Sequence, residues 1–175
     1  MGSVSHTCRR IPVSNQNFFQ KTLTEEFDRF HNVIAALPAE RLDYKYDPKS
    51  RSAGDLVGHV MGHIDDMIEL LDAGVIHHRM QVPFANLDGA VTAFDASYRT
   101  LLTKLAGVSD DSWAKIGDFR VGENYSFQAP VQALMWMLFL DAVHHRGQLS
   151  TCIRPMGGKV PSIYGPSADT AVAAS

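Results

Sequence analysis

Cysteine is scarce in this chain: Cys8 and Cys152 are the two thiols among 175 residues, at no paired-motif spacing. That excludes a disulfide scaffold and a thiolate zinc knuckle, and it is the usage of a reducing compartment. Long apolar runs are missing as well. The longest, from Ala133 to Leu140, falls far short of the ~20 residues a membrane-spanning helix needs. Neither sign of charge dominates. There are 16 Lys and Arg against 19 Asp and Glu, a net charge of −3 with His neutral. The basic residues are scattered, so no stripe for nucleic acid forms. Met1 to Arg10 is polar and lacks the apolar core of a secretion signal. His6 stands where a myristoylation signal after Gly2 needs Ser or Thr. The expectation is a cytoplasmic protein of one domain, 1–175, with neither membrane nor nucleic acid as partner.

Apolar residues make up 45% of the chain, enough for a chain of this length to bury its own core. Their spacing is helical. Phe19, Leu23, Phe27, Phe30, Ile34 and Leu37 recur at three- and four-residue steps and predict a first helix from about Asn15 to Ala36, ended by Pro38. Ser52 is an N-cap for a second helix that runs to Ala73 and stops at Gly74. Asn86 caps a third, Leu87 to Leu105, and Ser109 to Trp113 reads as one further turn. Phe119-Arg120-Val121 and Tyr125-Ser126-Phe127 flank Gly122-Glu123-Asn124, a small hairpin. Pro130 suits the first turn of a last helix that reaches about Arg154. From Lys159 the chain is rich in Pro, Gly, Ser and Ala, which predicts an extended, partly mobile tail over about 160–175. The fold class is all-α, a four-helix bundle with a small hairpin before its last helix. Trp113 and Trp136 read as core.

The last helix carries the chemistry. Its segment from Ala133 to Leu140 is apolar all round, which predicts burial on several sides. Asp141, His144, His145 and Gln148 then fall within about 100° of one face, with Arg146 roughly opposite. On the second helix His59 and His63 are four apart, Asp66 continues their edge, and all three flank the apolar stripe. Gly54, Gly58 and Gly62 mark another face, where a neighbouring backbone can come close. Bundles build metal sites from ligands on facing helices, and imidazole with carboxylate suits Zn, Ni, Fe or Mn. A hydrogen-bonded Asp141–His145 pair without an ion would satisfy the same residues. His77 and His78 read as a solvated loop, and His6 and His31 have no partner at ligand spacing.

The run Asp141-Ala-Val-His-His-Arg-Gly-Gln-Leu-Ser150, with Asp55-Leu-Val-Gly-His59 upstream, resembles the DinB-like/YfiT-like superfamily of metal-dependent proteins. Pro161-Ser-Ile-Tyr-Gly-Pro-Ser-Ala-Asp169 is similar to the tail of one DinB subgroup. The resemblance implies a four-helix bundle, a homodimer and a three-ligand divalent metal site. Carried onto this sequence, the ligands are His59, Asp141 and His145, with Asp141 standing where many members have His. His63 is a reserve ligand. His144 and Gln148 stand behind the ligands, and Gln148 and Tyr164 are candidate polar groups near the ion. Three ligands leave positions open for water or a low-molecular-weight thiol. Characterised relatives include thiol S-transferases and thiol-dependent isomerases, and others are presumed hydrolases. The implied activity is metal-dependent thiol transfer to a small electrophile, or hydrolysis. The rival is a non-catalytic, stress-associated metal-binding protein or a structural dimeric bundle. For general acid–base work, Asp66 and His63 are the residues in reach.

Overall fold

The structure, a computed structural model, describes residues 15–170. Readings that fall on Met1 to Arg10, including His6 and Cys8, lie outside the described residues. Four long helices carry the fold: α1 (Asn15–Ala35), α2 (Ala53–Ala73), α3 (Leu87–Leu105) and α5 (Val131–Ile153). A short helix, α4 (Asp110–Ala114), precedes the hairpin, and a 3-10 turn (Ala39–Arg41) sits between α1 and α2. The long helices close a ring in which α2 packs on α3 and α5, and α1 packs on the same two from the other side. Phe19, Phe30, Phe94, Tyr98 and Phe139 fill its centre, each almost wholly buried. Tyr98 brings a hydroxyl inside and satisfies it on the Leu23 carbonyl at 2.7 Å.

The fold is not strictly all-α. The hairpin of β2 (Ile116–Val121) and β3 (Tyr125–Pro130) is longer than its sequence signal, and β1 (Val75–His77) adds a third strand. β1 pairs parallel to β2 with Ile76 opposite Phe119, and β2 pairs antiparallel to β3 with Phe119 opposite Phe127. Three residues are too few for alternation to show, so β1 left no signal in the sequence. Pro130 is both the last residue of β3 and the N-cap of α5, which begins one residue later at Val131, whose N–H donates to the Lys115 carbonyl at 2.8 Å.

Three other expectations change. The apolar run of α5 is not covered all round: Met137 and Leu140 are exposed, at 38% and 58%, and Trp136 is half-buried, while Trp113 is core. The tail is extended but held as far as residue 170. Arg29 Nε donates to the Ile163 carbonyl, and Asp169 accepts from Arg154 and from the Val160 N–H. His78 is no solvated loop residue, for a reason that lies in the glycines of α2. A Cβ on Gly58 would sit 2.6 Å from the Val82 carbonyl oxygen, and one on Gly62 would sit 2.7 Å from that of Arg79. Only a glycine face lets the backbone after β1 lie this close to α2, and it carries His78 inward with it. Among the described residues no helix is long and apolar enough to cross a membrane.

Candidate metal centre

Helix α2 is fixed at its start by a reciprocal cap. Ser52 Oγ accepts from the Asp55 N–H at 3.0 Å, and the Asp55 carboxylate accepts from the Ser52 N–H at 3.1 Å. Such a box satisfies two otherwise orphaned donors and sets the register of the helix. From that start His59 and His63 lie one turn apart on the side facing α5, their ring centres 4.4 Å from one another. Helix α5 brings Asp141 and His145 against them. His59 and His145 have ring centres 4.6 Å apart, His63 Nε2 lies 3.1 Å from Asp141 Oδ2, and His145 Nε2 lies 3.5 Å from Asp141 Oδ1. One ligand atom from each of these four residues falls within 4.8 Å of all the others. The structure therefore brings His59, Asp141 and His145 together, and adds His63 to them.

The electrostatics are those of buried, neutral nitrogen donors. His59 and His63 are buried, at 4% and 1% exposure. His59 Nδ1 and both ring nitrogens of His63 have no hydrogen-bond partner among the described residues, the approach of Asp141 to His63 being off the hydrogen-bonding direction. A buried polar atom without a partner costs on the order of 1–3 kcal/mol, so three of them in one spot call for a ligand. Burial pushes both imidazoles down to about 4. Arg51, His145 and His78 reinforce this at His59. At His63 the neighbouring His59 does so, against the opposing pull of Asp141. Both rings are thus neutral near pH 7, the form that donates a lone pair. The donor set of three imidazoles and one half-exposed carboxylate fits a first-row divalent ion.

The remaining candidates separate. Gln148 stands behind His145: the ring Nδ1 donates to Gln148 Oε1 at 2.8 Å, which turns Nε2 toward the cluster. His144 is exposed, with its ring 5.2 Å from that of His145, and it is outside the four. Tyr164 is nowhere near. Its hydroxyl donates to Glu26 and accepts from Arg146, on the opposite side of α5, where Arg146 also pairs with Glu26. Asp66 is committed elsewhere, because its oxygens accept from Arg79 Nη1 and from His78 Nδ1, each at 2.7 Å. His78 is the residue that helical spacing could not find. It sits beyond β1, 5.6 Å from His59 and 5.5 Å from His63 between ring centres.

Two cavities adjoin the cluster. One of about 490 Å³ is walled by Phe119, Met137, Leu138 and Leu140 and reaches His63, His78, Asp141 and His144. The other, of about 270 Å³, lies on the His145–Gln148 side and includes Arg51 and Cys152, whose thiol burial raises above its ordinary pKa.

The model of the DinB family matches residues 12–172. The crystal structure of a DinB-like protein from Bacillus cereus superposes with a TM-score of 0.70 at 18% identity, covering 83% of this chain and 95% of that one. That of the DinB-like protein YjoA from Bacillus subtilis gives 0.65 at 13% identity, covering 89% and 100%. At such identities the likeness speaks for the fold alone. No curated protein matches the sequence.

Proposed function

This chain belongs to the DinB family, and on that premise we propose that it is a metal-dependent enzyme. In this reading His59, Asp141 and His145 hold a divalent ion, and the reaction is transfer of a low-molecular-weight thiol to a small electrophile, or a related hydrolysis. The observation that carries the reading is the pair of buried imidazoles on α2, unpartnered at three nitrogens and facing Asp141 and His145. A bound divalent ion would supply Lewis acidity, lowering the pKa of a thiol or water that reaches an open position. The protein's part is to place and shield. Gln148 holds His145 in the ligating tautomer. Asp141, 49% exposed at its side chain, marks the boundary between cluster and solvent. Phe119, Met137, Leu138 and Leu140 give the larger cavity an apolar wall suited to an uncharged electrophile.

Protein purified without added metal should contain a stoichiometric divalent ion by elemental analysis. Reloading stripped protein with one equivalent, at free metal a hundredfold above Kd, stabilises by about 2.7 kcal/mol, a rise in Tm of roughly 5–10 °C. His145→Ala should remove most of that rise. Equal rises in wild type and His145→Ala would place the ion elsewhere and end the reading. Thiol-dependent loss of a chromogenic electrophile should cease on chelation. A metal-dependent melt with no such activity across a panel of thiols and esters would favour the non-catalytic alternative.

A further inference from the structure

We propose that this chain holds a second divalent ion next to the first, between His63 and His78, with Asp66 beside them. The inference rests on the metal reading under Proposed function and extends it to a site of its own.

The imidazoles form a row. His145 and His78 flank the α2 pair from either side, at ring-centre distances of 4.6 and 5.8 Å for His145 and 5.6 and 5.5 Å for His78, to His59 and His63 in turn. With metal–nitrogen bonds of about 2.0–2.1 Å, two imidazoles on one ion have centres roughly 5 Å apart. Each neighbouring pair in the row is near that spacing, so it offers more donors than one ion with open positions takes up. Asp141 belongs to the first site, with Oδ1 toward His145 and Oδ2 toward His63.

His78 is prepared as a ligand. Its Nδ1–H donates to Asp66 Oδ2, which in the neutral ring leaves the lone pair on Nε2. This is the carboxylate–histidine pairing that orients metal-binding rings. Asp66 itself lies within ligand distance of His63 and His78. Its oxygens, however, are taken by His78 and by Arg79, whose backbone N–H and Nη1 both donate to it. It therefore acts through His78. The larger cavity touches His63, His78 and Asp141 together, so an ion there has a route in and room for exogenous ligands. Mostly imidazole donors favour Zn, Co, Ni or Cu over Mg or Ca. Two dications this close together repel each other, so the second binds more weakly than the first.

The test is a count. Metal-stripped full-length protein is equilibrated with excess Zn²⁺ and the ions per chain are measured, with the visible spectrum of a Co²⁺ titration as a second readout. Wild type should bind two ions, the second at least tenfold more weakly, and the second equivalent of Co²⁺ should alter the spectrum. His78→Ala and His78→Gln should each bind one, the glutamine variant retaining an amide that can still donate to Asp66 so that the fold is kept. His77→Ala, which alters an exposed ring paired with Glu69, should still bind two. One ion in wild type, unaffected by His78→Gln, would overturn the second site and leave the first standing. Two ions in His78→Gln would also overturn it, since His78 would then not be a ligand. No ion in any protein would overturn the first site and the second with it.

Discussion

His145 and Arg146 are neighbours in sequence and face opposite sides of α5, one toward the imidazole row and the other, 2% exposed, toward Glu26 and Tyr164. Gln148 makes the first of them useful, because it fixes which ring nitrogen of His145 points inward. Gln148→Ala should weaken binding of the first ion about 10- to 100-fold, the usual cost of losing such a partner. A chromophoric chelator competing for Zn²⁺ would measure it, and an unchanged affinity would mean that Gln148 orients nothing. The α2 imidazoles make a second prediction, for metal-free protein. In the fold His59 and His63 titrate at about 4, whereas in the unfolded chain a histidine titrates near 6.5. Between those values the unfolded chain binds more protons, so stability is fully present above about pH 6.5 and is lost as pH falls toward 4. Each unit of difference is worth about 1.4 kcal/mol. The urea midpoint of stripped protein should therefore drop steadily from pH 7 to pH 5, and a level profile would show that these rings are not desolvated.

Among the elements, helices were the part legible from residue spacing. Ser52, Gly74 and Asn86 announce helix ends that the structure places at those residues. His59, His63, Asp141 and His145 fall on facing edges because a 3.6-residue period decides it. What the period cannot reach is the chain between helices. His78 enters the cluster because β1 pairs with β2 and because Gly58 and Gly62 leave room for the next segment. The sequence shows the glycines without showing what lies on them. Gly62→Ala should force its new Cβ into the Arg79 carbonyl oxygen 2.7 Å away, backbone that can move only by lifting His78 off α2. A loss of about 1–3 kcal/mol in urea unfolding is expected, as for other overpacked positions. Gly147→Ala meets nothing within 4 Å and should instead gain about 0.5–1 kcal/mol from its helical position. If both alanines proved neutral, the close approach of the loop would not be real.

At the scale of the whole molecule, the largest departure from the sequence reading is the outer face of α5. An apolar run looks the same in sequence whether neighbours cover three of its sides or all of them, and here Met137 and Leu140 stay exposed, with Phe18 of α1 at 56%. We propose that this face is covered in a homodimer, as the family resemblance implied. A stable dimer buries about 1,200–2,000 Å² in total. Sedimentation at micromolar concentration should give twice the 19.3 kDa of the chain. Leu140→Glu should shift the species toward monomer, and a monomeric wild type would rule the dimer out.

The ring of helices also has a consequence in time. Helix α2 touches both α3 and α5, yet α5 is made last, and roughly 80 residues separate His63 from Asp141. At a ribosomal pace of about 5–20 residues per second, α2 waits roughly 4–16 s for the helix that covers it, its apolar stripe and its imidazoles open to whatever the nascent chain meets. The first site, which needs Asp141 and His145 of α5, cannot close on its ion during that interval. Capture of that ion therefore belongs to the finished polypeptide, and a stalled or prematurely terminated chain would present a sticky helix with two unclaimed histidines.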